Sequence, residues 1–153
     1  MKPLTYDQAL SRAAALCSGS EHCSSEIRKK LLLWGLSSSQ TEKAIGALIE
    51  EKYIDNQRFC RAYSLDKFRY NHWGRIKIGQ MLRMLEMDST DINKGLDTIP
   101  EEEYRGVLLH ILSQKNRQLK DTDPYIRKGK LVRHALSRGF ETHAIMDMVE
   151  EFL

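Results

Sequence analysis

The residues best suited to chemistry lie in one interleaved run, Lys67-Phe68-Arg69-Tyr70-Asn71-His72-Trp73-Gly74-Arg75-Ile76-Lys77. The cations Lys67, Arg69, Arg75 and Lys77 can neutralise phosphates or acidic side chains, while Tyr70 and Trp73 can stack on bases or anchor a protein interface. Equally open is a structural role, in which Trp73 closes the bottom of a small core and the cations are merely solvated. Arg83, farther along the next predicted helix, extends the same basic segment. A second basic stretch holds Lys115, Arg117, Lys120, Arg127, Lys128, Lys130 and Arg133 around a predicted loop at Asp121-Thr122-Asp123-Pro124. Tyr125 stands three residues before Lys128 and loosely echoes the aromatics of the first stretch.

Charge is segregated along the chain. Residues 1–57 balance seven cations against seven acids, and 58–85 carry seven cations and one acid. Residues 86–103 reverse this with one cation and seven acids, and 104–140 return to nine cations and two acids. The tail 141–153 has four acids and no Lys or Arg. Two basic blocks separated by an acidic one suit a surface that steers onto a charged partner, nucleic acid or protein.

Residue types for catalysis are present without the spacing that catalysis needs. No Gly-rich phosphate loop, nucleophile elbow or paired-His metal motif occurs. The five histidines, His22, His72, His110, His134 and His143, share no ligand spacing on a common helix face and read as surface or edge residues. Cys17, His22 and Cys23 lack the second Cys/His pair that a zinc site requires, and three cysteines without paired spacing point to a reducing compartment. No cofactor or metal is expected. No apolar run approaches the roughly 20 residues that a membrane-spanning helix needs. A cytoplasmic, monomeric binding protein is therefore expected.

The elements that must position these residues repeat. Ile27 to Leu36, Ile78 to Met87 and Leu131 to Phe140 read as three copies of one helix, each followed by a tight turn and a second helix. Registered on Leu36, Met87 and Phe140, the copies lie 51 and 53 residues apart. Five positions earlier stand Leu31, Leu82 and Ala135, and nine earlier stand Ile27, Ile78 and Leu131. Ile45, Leu96 and Val149 follow nine positions after, and Leu48, Ile99 and Phe152 twelve after, spacings that line one helix face.

Gly35 and Gly139 occupy the left-handed position that ends a helix, where the second copy has Glu86 and some strain. Ser37 to Ser39, Ser89, Thr90 and Thr142 fall in the cap region of the following helix. A further helix precedes each pair, at about 6–16, 57–69 and 101–117, the last opened by Pro100 and three glutamates. The expected fold is all-α, with three tandem three-helix repeats at 5–54, 55–99 and 100–153 in an elongated, curved arrangement.

The run Tyr53-Ile54-Asp55-Asn56-Gln57-Arg58-Phe59-Cys60-Arg61-Ala62-Tyr63, then Trp73-Gly74-Arg75-Ile76 and Leu82, resembles the central signature of the RecX regulatory proteins. Lys130 to Phe140 resembles that family's third-repeat motif, so the likeness covers nearly the whole chain, about Tyr6 to Leu153. Cys60, Ser64 and Gln80 depart from the family pattern. The resemblance implies a non-enzymatic protein of three-helix repeats that binds the RecA recombinase filament on DNA. It would modulate, mainly inhibit, strand exchange, ATP hydrolysis and co-protease activity. From the residues alone a direct DNA binder remains the alternative, since helix–turn–helix pairs carrying cations can enter a groove.

Overall fold

The computed structural model describes residues 2–153. Among them the chain forms nine α-helices and a closing 3₁₀ turn. The helices are α1 (Tyr6–Gly19), α2 (Ser24–Leu33), α3 (Ser38–Glu50), α4 (Asn56–Asn71), α5 (Arg75–Met84), α6 (Ser89–Leu96), α7 (Glu101–Gln118), α8 (Pro124–Ser137) and α9 (Thr142–Val149). Several begin at side chains that satisfy the free N–H groups of a first turn. Thr5 with Gln8 and Ser37 with Gln40 form reciprocal capping boxes, and Asp55 accepts from the Arg58 N–H. Pro100 sits at the cap of α7 rather than inside its first turn, and Asp88 and Glu141 precede α6 and α9 without a side-chain cap bond. The predicted serine and threonine caps of those two helices are therefore displaced by one residue.

The turns after α2, α5 and α8 are alike. Gly35 and Gly139 have φ of 102° and 92°, and Glu86 takes φ 62° at the matching place. In each turn the N–H of the apolar residue that follows reaches back to a carbonyl five residues earlier. The bonds are Leu36 to Leu31, Met87 to Leu82, and Phe140 to Ala135. The aligned positions are buried as the register requires. Ile27, Leu31, Ile78, Leu82, Leu131, Ala135 and Phe140 are fully enclosed, and Leu36 and Met87 nearly so. Leu96 and Phe152 are half-buried exceptions, the latter because α9 gives way to the 3₁₀ turn before reaching it.

Burial divides into two cores. One, from Ala9 to Ile54, is enclosed by α1, α2 and α3. The other runs from Phe59 to Val149 without a break and takes in Cys23, so α4 to α9 share a single apolar interior. Tyr104 holds the centre of this larger core, stacked on Phe68 at 5.6 Å and tilted against Phe140 at 5.1 Å.

A similar junction recurs along the chain. The start of α5 docks on the turn after α8: the Gly74 N–H donates to the Arg138 carbonyl at 2.8 Å and the Ile76 N–H to that of Gly139 at 3.0 Å. The start of α2 docks likewise on the turn after α5, where the Ser25 hydroxyl donates to the Leu85 carbonyl at 2.5 Å. At the other end, the Leu4 N–H donates to the Trp34 carbonyl beside the Gly35 turn at 2.9 Å. These bonds pair polar groups that helix termini would otherwise leave unsatisfied.

The solvent-accessible surface is 9176 Å² for 17.8 kDa. A compact monomer of this mass exposes about 8,000 Å². The excess accords with helices strung along an axis rather than wrapped around one centre.

Candidate partner-binding surface

The two basic stretches come to lie mainly on helices rather than loops. Lys67, Arg69 and Tyr70 belong to the last turns of α4, whose carbonyl end favours cations. His72 at φ 56° ends that helix, only residues 72–74 link it to α5, and Arg75 and Lys77 open the next. Trp73 is half-buried against the larger core. Its ring is approached by two ammonium groups, Lys67 at 5.1 Å and Lys77 at 4.7 Å, and Lys67 also covers Tyr63 at 5.4 Å. Trp73 thus closes a core and orders two cations at once. Tyr70 points away, 83% exposed, and Arg83 is exposed on α5 without an acidic partner among the described residues.

Arg69 and Arg75 are engaged within the protein. Arg69 makes a two-pronged pair with Glu103 at 2.9 and 3.3 Å on the surface, and that pairing draws the Glu103 carboxyl below its ordinary range. Arg75 lies over the Tyr104 ring at 3.8 Å and spans Glu101 at 2.7 Å and Glu141 at 3.2 Å. Burial opposes the Arg75 charge, but the bond to Glu101, the nearby Tyr104 and Glu141 outweigh it and hold the guanidinium pKa above its usual value. The Tyr104 hydroxyl accepts from the Arg75 N–H and donates to Glu141, and burial followed by that carboxylate pushes the phenol well up. Arg75 is accordingly the fastener that holds the start of α5 to α7 and α9.

Around α7 and α8 the same sorting applies. Arg127 is committed inward, donating to Asn116 and to the carbonyls of Asp121 and Phe152. Lys128 pairs with Glu150 at 2.5 Å, and Lys130 with Asp121 at 2.7 Å, which lowers the Asp121 carboxyl. Lys115, Arg117 and Arg133 have no carboxylate partner among the described residues. Tyr125, 85% exposed, joins Ile126, Val132 and Met146 in an apolar groove of about 400 Å³ between α8 and α9, with Lys128 and Arg133 at its rim.

A feature that sequence reasoning passed over lies on the other side of α8. His134 is half-buried between the cations Lys115 and Arg138. Burial first, then those two charges, hold its imidazole pKa below the ordinary value. Its signal is the spacing of Arg133 and His134 on α8, and of Arg138 just past its end, against Lys115 on α7, which is visible only once the two helices are paired. Cys23 and Cys60 face the larger core, and burial pushes the Cys60 thiol up to about 12. No helix among the described residues is long and apolar enough to cross a membrane.

No family model matches the chain. A regulatory protein RecX from Prosthecochloris aestuarii is 30% identical over 152 residues, covering 95% of this chain and 94% of that protein. A regulatory protein RecX from Clostridium botulinum, strain Eklund 17B, is 28% identical over 128 residues, 82% of this chain and 59% of the relative. A third, from Clostridium beijerinckii, is 27% identical over 130 residues, and the match spans 60% of its length. The chain therefore spans about three fifths of these longer clostridial relatives. In fold it matches the crystal structure of RecX from Lactobacillus salivarius with TM-score 0.86 at 16% identity, over 96% of both chains. A second crystal structure of a regulatory protein RecX also gives TM-score 0.86, at 20% identity, over 95% of this chain and 71% of that one.

Proposed function

The chain belongs to the RecX family, and from that premise we propose that it is a regulatory protein that binds the RecA recombinase filament on DNA and restrains its activities. The observation that carries this reading is the end-to-end match to a regulatory protein RecX of nearly the same length. Nothing in it requires chemistry by the protein itself. A regulator of a filament acts by differential affinity, stabilising one state of its partner over another. In this reading the division into units 5–54, 55–99 and 100–153 gives the chain the reach to touch more than one filament subunit. Contact would come from side chains that the fold leaves unspent: Tyr70, Arg83, Arg117 and the Lys67–Trp73–Lys77 stack. The alternation of basic and acidic segments would set register and speed of encounter more than affinity.

Co-sedimentation with RecA assembled on single-stranded DNA, and with DNA alone, tests the binding. Pelleting with filaments well above the amount pelleted with DNA alone supports the reading. Equal amounts in both would sink it. Substituting Lys67 and Lys77 with Ala should weaken the filament-dependent fraction if the Trp73 stack makes contact. Unchanged binding would move the contact to Tyr70, Arg83 and Arg117.

A further inference from the structure

Two clefts on the α7–α8 face run into one another. The first, about 460 Å³, is lined by Lys115, Leu119, Lys130, Arg133 and His134. The second, about 240 Å³, has Gln114, Gln118, His72 and Arg138 on its walls together with Lys115 and His134, which both clefts share. The lining contains no carboxylate. Lys130 is the one cation of the set already answered, by Asp121. Arg138 donates to the Asn71 carbonyl at 2.6 Å, which steadies its guanidinium at the edge of the cleft. Lys115 and Arg133 have no acidic partner among the described residues. Like charges gathered around a half-buried imidazole repel one another, and an anion placed among them relieves that repulsion.

We propose that this continuous cleft between α7 and α8 binds the phosphodiester backbone of a nucleic-acid strand, with Lys115 and Arg133 as its principal phosphate contacts. The lining selects the ligand. No phenyl, phenol or indole ring borders either cleft, and the only rings there are the half-buried imidazoles of His72 and His134, so recognition rests on backbone charge more than on base stacking. Apolar lining is confined to Ile111 and Leu119, both packed into the core, so the cleft itself holds no apolar anchor for a protein, although Arg133 also rims the groove of Tyr125, Ile126 and Met146. The amide side chains of Gln114 and Gln118 can donate to phosphate or sugar oxygens. The contact needs no RecA, so it stands or falls separately from the filament reading.

Fluorescence anisotropy with the full chain, a labelled oligo-dT strand and a duplex of equal length, without RecA, tests it over a series of salt concentrations. Expected is binding whose affinity falls steeply with salt and does not depend on base sequence. The doubly reversed variant K115E/R133E should bind at least about tenfold more weakly. Its salt slope should be shallower by roughly 1.4, since each phosphate left unneutralised on a single strand removes about 0.7. K29E/K94E makes the same change of charge at exposed positions elsewhere and should retain most of the affinity. In NMR spectra recorded at about pH 8.5, where the His134 ring is neutral and long-range fields cannot change its protonation, its ring resonances should shift on adding the strand. Absence of binding at low salt, equal losses in the two double variants, or a silent His134 would each overturn the proposal. So would tighter binding of a poly-glutamate chain of matched charge, which would assign the cleft to an acidic protein.

Discussion

Tyr104 is enclosed on all sides, yet its hydroxyl serves α5 and α9 together by accepting from the Arg75 N–H and donating to Glu141. Replacing it with Phe leaves the ring packing intact and strands the Arg75 backbone N–H, while Glu141 keeps Arg75 and loses one of its two bonds. Stability should fall by about 1–2 kcal/mol in urea unfolding, and an unchanged midpoint would show the network to be dispensable. His134 behaves differently because its neighbours are cations. Its folded pKa lies below the unfolded value of about 6.5, so the proton binds more readily to the unfolded chain. The stability linked to this group is complete above that ordinary value and is lost as pH falls from there through the folded pKa. Lys115→Ala removes one repelling charge, and the imidazole pKa, followed by NMR, should rise; no rise would mean that Lys115 does not face the ring. The role of His134 could not be read from sequence, because Lys115 reaches it from a different helix, although Arg138 stands only four residues on. The engagement of Arg75 was hidden for the same reason, since its partners stand 26 and 66 residues away. Of the two senses left open for Trp73, the fold displays the core-closing one, with Lys67 and Lys77 held over the ring rather than merely solvated.

At the level of elements, the helix–turn–helix units were readable because their information is local. Apolar residues at offsets of five and nine mark a face, and a glycine ends the helix that carries it in two of the three copies. The junctions between units left no such mark, since Gly74, Ile76, Arg138 and Gly139 meet through backbone groups that every residue possesses. Three substitutions separate these effects. Glu86→Gly should stabilise by about 1 kcal/mol, because glycine adopts φ 62° without the left-handed penalty. Gly139→Ala should cost more than that, since its Cβ would fall 2.3 Å from the Lys77 Cβ in addition to adopting φ 92°. Gly46→Ala, in the middle of α3 with nothing within 4 Å, should stabilise by about 0.5–1 kcal/mol. Thermal or urea midpoints give all three signs. A stabilising Gly139→Ala would mean that the α5–α8 junction is not held as closely as the backbone bonds indicate.

For the molecule as a whole, the pairing of helices matters less than the way they are strung. One core is closed by α1 to α3 and the other is shared by α4 to α9, so the chain is not three equal beads, although its register repeats three times. Its surface exceeds that of a compact monomer of this mass, and small-angle scattering should give a radius of gyration clearly above the roughly 15 Å of a compact domain of this length. A value at or below that figure would remove the elongated shape on which filament binding is premised. The unspent cations and aromatics lie from α4 to α8, while Arg75 and Arg127 are occupied in holding that region together. Regulation of a polymer by such a body should act on many subunits at once. The most direct test is the rate of DNA-dependent ATP hydrolysis by RecA as this protein is added below one copy per RecA. A marked fall at substoichiometric amounts is expected, and a rate unchanged up to and beyond equal amounts would contradict the assignment as a RecA regulator.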